Sequence, residues 1–332
     1  MSLPSLIFSA LFALFSDQAH ALMSGANPDS PATHIDPNTV NSPWAGVGSL
    51  SITKARGTGT FTAALIAPNY VLTAAHVVTG VPPGAITFNL NFGGNLTQQI
   101  GATEIFIHPG YRGFNNPNLN DDLAIVRLAR PAIPDVPIYS LLRNALPRGA
   151  TMTFVGYGSS GSGNTGPTID SSPAIKRTGQ NNADQFTLDD DGSGKAEVYY
   201  FDFDGPTAAN NLMGGPTLGN TLETSVSGGD SGSPAFIQDS SGIWRLAGVN
   251  TFTFTSMQKQ TASTFGTGGG GMLVSSYADW IDGIIATPVP EPSTYALLLA
   301  GLGLIGCAAF RPRHSRLSRP GHRQNCKPRL HP

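Results

Sequence analysis

The feature that most limits what this chain can fold into is its rhythm of short apolar runs broken by Gly, Pro and Asn clusters. Phe61–Ile66, Ile86–Phe92, Ile100–Ile107, Leu123–Leu128 and Met152–Tyr157 follow one another at short intervals. Val198–Phe203, Ser233–Ile237, Trp244–Phe254 and Met272–Val274 continue the style in the second half. Runs of this length bounded by turn residues predict strands. Helical periodicity is confined to Ser276–Ala286. With 40 glycines, 26 prolines and 12% charged residues, the chain lacks the material for long surface helices and is expected to be all-β. The glycine-rich stretches 158–166 and 266–271 are expected to be mobile loops.

Both ends differ from this body. Leu6–Phe15 is an apolar run followed by Ala19-His20-Ala21, an A-x-A cleavage pattern, so 1–21 is expected to be a signal peptide, although no Lys or Arg precedes the run. Residues 22–42, rich in Asn, Pro, Ser and Asp, are expected to form a flexible lead-in. Residues 22–286 carry 12 Lys and Arg against 19 Asp and Glu, while 311–332 carries seven Lys and Arg and no acid. An acidic body offers no footprint for nucleic acid. The two cysteines, Cys307 and Cys326, lie outside the body, which must therefore stabilise itself by burial rather than by a disulfide.

Three short motifs carry chemistry. Gly228-Gly229-Asp230-Ser231-Gly232-Ser233-Pro234 puts a serine in a turn that can aim backbone N–H groups inward. A serine hydroxyl is a weak nucleophile until a base takes its proton and a dipole cage receives the oxyanion. Leu72-Thr73-Ala74-Ala75-His76 supplies a base, and Asp121-Asp122-Leu123-Ala124-Ile125-Val126-Arg127-Leu128 supplies a carboxylate to orient it. Taken singly, each has a plainer reading: a glycine turn, a core histidine, and two adjacent aspartates of which either could serve. The chain order His, Asp, Ser is one of the three known for this chemistry.

The motifs and their flanks resemble the trypsin-like, chymotrypsin-fold serine protease family. Pro43-Trp44-Ala45-Gly46-Val47, Ile107-His108-Pro109-Gly110-Tyr111, Gly156-Tyr157-Gly158 and Leu273-Val274-Ser275-Ser276-Tyr277-Ala278-Asp279-Trp280-Ile281 extend the likeness over 43–286. It implies two six-stranded Greek-key β-barrels with a short C-terminal helix. It also implies an exported serine endopeptidase that works through an acyl-enzyme, acts on polypeptides and needs no cofactor or metal. The alternative is a catalytically silent homologue that binds polypeptide or matrix at the cell surface.

By the same resemblance, Ser231 is the nucleophile, His76 the general base and Asp122, which directly precedes the apolar strand, its orienting partner. Gly229 and Ser231 supply the oxyanion hole, and His34 and His108 are bystanders. Ser225 stands at the base of the primary pocket, where its neutral side chain implies a preference for a neutral residue before the scissile bond. Thr251, Phe252 and Thr253 form the strand beside the substrate. The family pairs the residue before the nucleophile, here Asp230, with an ammonium freed from an Ile-Val-Gly-Gly start, yet no such sequence precedes Trp44. A different N-terminus or internal hydrogen bonds must then satisfy Asp230, or the oxyanion hole stays disordered until something orders it.

Two segments remain. Asp189-Asp190-Asp191-Gly192-Ser193-Gly194 invites a calcium assignment, but with Gly192 at the sixth position of an EF-hand loop the twelfth is Val198 rather than Glu. Val289-Pro290-Glu291-Pro292-Ser293-Thr294, an apolar run over 295–310 and then Arg311, Arg313 and Arg316 resemble the PEP-CTERM sorting signal of Gram-negative bacteria. That likeness makes 287–332 a sorting segment read by an exosortase-type enzyme. The product is delivered to the cell envelope or extracellular matrix after transient inner-membrane anchoring. Sixteen residues rise about 24 Å as a helix, short of a hydrocarbon core of ~30 Å. A permanent anchor shares most of these features.

Overall fold

The computed structural model describes residues 22–286, apart from 56, 114–118 and 258, together with 300 and 302. The chain divides into two units, 1–286 and 287–332. Of the second only the two helical residues 300 and 302 are described, so the expected signal peptide and the sorting segment lie outside the described residues. Among the latter no helix is long and apolar enough to cross a membrane.

Six strands build the first half: β1 (Val47–Lys54), β2 (Gly57–Ala67), β3 (Tyr70–Thr73), β4 (Ile86–Leu90), β5 (Gln98–Ile107) and β6 (Ala124–Leu128). They close an antiparallel barrel in the order β1-β2-β3-β6-β5-β4, which leaves no edge to pair with another chain. Leu50, Ile52, Leu65, Val71, Phe88, Ile100 and Val126 fill it. Each such side chain contributes about 1.5–3 kcal/mol on burial.

The second half contains β7 (Thr151–Gly156), β8 (Ser160–Ser162), β9 (Gly166–Ile169), β10 (Arg177–Asn182), β11 (Gln185–Leu188), β12 (Ala196–Asp202), β13 (Pro234–Gln238), β14 (Trp244–Thr255) and β15 (Thr267–Leu273). Instead of a second six-stranded closed barrel, seven of these form a sheet in the order β10-β7-β13-β14-β15-β12-β11, with β8 and β9 as a separate ribbon. On the side away from β7, side chains and isolated bridges link β10 to its surroundings where a ladder would otherwise run. Asn181 Nδ2 donates to the carbonyls of Asp202, at 2.8 Å, and Thr224, at 2.7 Å, and Gln180 bridges Glu223.

Three expectations about loops are corrected. The run 267–271 is an interior strand, entirely buried. A Cβ would stand 1.8 Å from the Val249 carbonyl oxygen at Gly271 and 2.4 Å from that of Phe201 at Gly268. Glycine is present there because the flanking strands β12 and β14 occupy the side-chain space. Residues 160–162 and 166–169 pair as the β8–β9 ribbon, with Ser159 and Ser160 buried. The lead-in is packed rather than flexible: Leu22 and Met23 are fully buried. Met23 N donates to Ser225 O (2.8 Å), Ser24 N to Gly161 O (2.9 Å) and Gly163 N to Ser24 O (2.9 Å). A polar composition misled here because the segment finds its backbone partners in distant loops.

The halves meet on a shared apolar core. The Trp44 and Phe236 rings lie 5.1 Å apart, and Tyr139 lies 4.6 Å from Phe236. Fully buried Lys176 donates to the Trp44 carbonyl at 3.0 Å and pairs with Asp36 at 3.4 Å. The final helix, α2 (Val274–Ala286), buries Val274, Tyr277, Ala278 and Ile281, one stripe of a 3.6-residue period.

The second half also buries a surplus of carboxyl groups. Burial pushes Glu197 and Glu223 up to about 7 and Asp204 to about 6, and raises Asp184, which also faces the charge of Asp202. Arg148 Nε reaches the backbone carbonyl of Asp184. Unfolded, such groups titrate near 4, so the folded state binds more protons than the unfolded chain. Their contribution to stability is full below pH 4 and is lost as pH rises through 6–7. The melting temperature of the purified protein is therefore expected to be higher at pH 5 than at pH 8, by calorimetry in buffers of matched ionic strength. A flat or rising profile over that range would contradict this reading.

Candidate active site

His76 sits in a one-turn helix, α1 (Ala75–Val78), directly after β3. Buried Asp122 precedes β6 and clamps the histidine twice. Its Oδ2 lies 2.7 Å from the ring Nδ1, and its Oδ1 accepts the His76 backbone N–H at 2.8 Å. Ring and backbone are thus tied to one carboxylate, which fixes the orientation of the imidazole.

The neighbouring Asp121 is committed elsewhere. Its Oδ1 pairs with His108 Nδ1 at 2.8 Å, and its N–H donates to Tyr277 OH at 2.9 Å. Tyr277 OH in turn meets the buried Glu197 carboxyl. Asp121 holds a φ of +65°, a left-handed conformation that costs about 1–2 kcal/mol for a residue with a side chain. That twist sends two adjacent aspartates to two different histidines, so His108 is a partnered residue rather than a bystander. The rings of Tyr277 and Trp280 meet it edge-on, each at 5.0 Å.

The turn that carries Ser231 is held peptide by peptide. Asp230 N donates to Ser227 O (3.0 Å), Ser233 N to Asp230 O (2.8 Å), Gly232 N to Asn250 O (2.9 Å) and Thr62 N to Ser231 O (3.1 Å). Gly229 takes a φ of +87°, which glycine adopts without strain. The N–H groups of Gly229 and Ser231 make no hydrogen bond among the described residues.

Asp230 is fully buried, and burial holds its carboxyl well above the usual range, against hydrogen bonds from Ser227 N (3.0 Å) and Gly158 N (3.1 Å) and the charge of Arg177. Internal hydrogen bonds thus engage it, and among the described residues it forms no salt bridge.

Thr251 and Phe252 line a small open pocket with Asp122, Tyr111 and Leu119. Ser225 and Thr253 are not part of that pocket. Ser225 is fully buried, its hydroxyl donates to Val226 O at 3.4 Å, and its carbonyl holds Met23 of the N-terminal strap. Among the described residues no group of three or more His, Cys, Asp or Glu side chains could hold a metal ion. Asp189 Oδ1 instead accepts Ser193 N at 2.8 Å, closing the acidic turn on itself.

The motifs did not single out Thr62, the Leu22–Ser24 strap or the His108–Asp121 pair. The one available signal was Leu22-Met23, two large apolar residues directly after the A-x-A pattern.

No curated protein matches the chain. The PEP-CTERM protein-sorting motif matches residues 288–313, which marks export to the cell envelope of a Gram-negative bacterium. The trypsin family model matches residues 36–281, and with most of its length so covered the chain belongs to the trypsin family of serine proteases.

Proposed function

We propose that this exported trypsin-family protein is an active serine endopeptidase with Ser231, His76 and Asp122 as its triad. The observation that carries the reading is the double clamp of Asp122 on His76, at 2.7 and 2.8 Å. In the reaction, Ser231 Oγ attacks the scissile carbonyl carbon while His76 Nε2 takes its proton. Asp122 fixes the tautomer and stabilises the imidazolium. The N–H groups of Gly229 and Ser231 receive the negative oxygen of the tetrahedral intermediate. His76 then protonates the leaving amine, an acyl-enzyme forms on Ser231, and water activated by the same histidine releases the second product.

Ser231→Ala and His76→Ala are each expected to lower kcat at least ~10³-fold, and the double variant to lose little more, because triad members act as a unit. Labelling by a fluorophosphonate should vanish with Ser231→Ala. Full peptidase activity in that variant would sink the assignment, and a wild-type protein inert to the probe would favour the silent binding homologue.

Substrate preference follows from Ser225. The buried serine offers no carboxylate to a cation, and an unpaired charge is costly to bury. Peptides with a neutral residue before the scissile bond are expected to be cut at least about tenfold faster, as kcat/KM, than Arg or Lys peptides. A cleavage profile dominated by Arg or Lys would show the pocket reading to be wrong.

Processing at both ends completes the reading. Cleavage after Ala21 frees the amino group of Leu22, whose carbonyl accepts Ser160 Oγ at 2.6 Å. Ser160 lies two residues from Gly158, which donates to Asp230. That amino group is the cation we assign to the buried Asp230 carboxyl. Cleavage near Pro290-Glu291-Pro292 releases the body from its transient inner-membrane anchor and removes the basic tail. Intact mass of protein recovered from the envelope or medium of the native host is expected to fit a chain that begins at Leu22 and lacks Arg311–Pro332. Retention of Cys307 and Cys326 in most molecules would make the segment a permanent anchor.

A further inference from the structure

We infer that Thr62 is a positioning residue for the oxyanion hole, acting through its hydroxyl; this rests on the protease reading above. Thr62 lies on β2 in the first barrel and is fully buried. Its hydroxyl donates to Gly229 O at 3.2 Å and accepts Tyr157 N at 3.1 Å. Its backbone N–H donates to Ser231 O at 3.1 Å, and its carbonyl accepts Thr73 Oγ1 at 2.8 Å. One residue of the first half therefore holds the carbonyls on both sides of Asp230, both of them in the second half, and is tied to the strand that leads to His76.

The consequence concerns peptide orientation. A peptide plane is rigid, so fixing its oxygen fixes its N–H. The Gly229–Asp230 plane is held at its oxygen by the Thr62 hydroxyl and at its nitrogen by Ser227 O. The Ser231–Gly232 plane is held at its oxygen by Thr62 N and at its nitrogen by Asn250 O. The Asp230–Ser231 plane between them is held at its oxygen by Ser233 N, and its nitrogen, that of Ser231, is left free. The plane that carries Ser231 N–H thus lies between two planes that Thr62 holds, and Gly229, which as glycine could otherwise turn over at little steric cost, is fixed on its C-terminal side by the Thr62 hydroxyl. A hydroxyl has one proton and two lone pairs, and here the proton goes to Gly229 O while a lone pair takes Tyr157 N.

Thr62→Val keeps shape and β-branching and removes only the hydroxyl; Thr62→Ser keeps the hydroxyl. For Thr62→Val, kcat is expected to fall about tenfold or more, short of the loss on deleting a whole donor, with KM within twofold of wild type. Affinity for a peptide aldehyde, which places an oxyanion in the hole, should fall in parallel, while that for the matching product peptide holds. Thr62→Ser should restore most of the rate. If Thr62→Val does not fold, Thr62→Ala takes its place with the same readings. An unchanged kcat, equal losses of aldehyde and product affinity, or no rescue by Ser overturns the inference. An active wild type with an indifferent Thr62 variant defeats this inference alone, whereas a wild type inert to fluorophosphonate defeats the protease reading itself.

Discussion

Everything at the site depends on how closely the second half can approach the first beside Ser231. The contact is made at Gly232, with a φ of +85°. A Cβ there would stand 2.1 Å from Thr73 Oγ1 and 2.2 Å from Thr62 O. Both distances lie well inside van der Waals contact, so any side chain must push the serine turn off the strands that carry the histidine. The shared apolar core supplies the adhesion, but adhesion is non-directional. The directional hydrogen bonds from Thr62 and the bare α-carbon of Gly232 set the distance.

Most of the strands were legible because a buried strand is a short apolar run closed by turn residues, as Phe61–Ile66 is by the Pro and Asn that follow it. The motifs around His76, Asp122 and Ser231 were legible for a different reason, since their flanks are short and each flank has a local geometric duty. What stayed hidden has no local signature. A run of glycines carries no side-chain period, so β15 looked like a loop, although the aromatic rings of its neighbours dictate it. The closure of the second half by Asn181 rather than by a ladder depends on residues 21 and 43 positions away. Likewise, that Asp122 meets His76 while Asp121, left-handed at its backbone, meets His108 is a matter of space, which the sequence does not announce.

The two histidine–aspartate pairs use similar geometry for unlike ends. The His76 pair stands beside the open pocket that Asp122 lines. The His108 pair is enclosed by the rings of Tyr277 and Trp280 and anchors the backbone just before Asp122. Orientation of the reactive pair thus passes back through Tyr277 to the terminal helix and to Glu197. A residue of α2 far along the chain thereby takes part in aiming a histidine near its start.

The buried strap at Leu22–Ser24 has a consequence for the order in which the molecule can be completed. The barrel of 47–128 needs only neighbours in sequence, whereas Ser24 finds its partner 137 residues away and Met23 finds Ser225. Contacts of such separation form late, because their loop entropy falls due before they return anything. A chain crossing a membrane from its N-terminus therefore presents the strap first and its binding slot last. The slot that holds the strap cannot assemble until residue 225 has emerged, so the polypeptide stays unfinished for most of its passage.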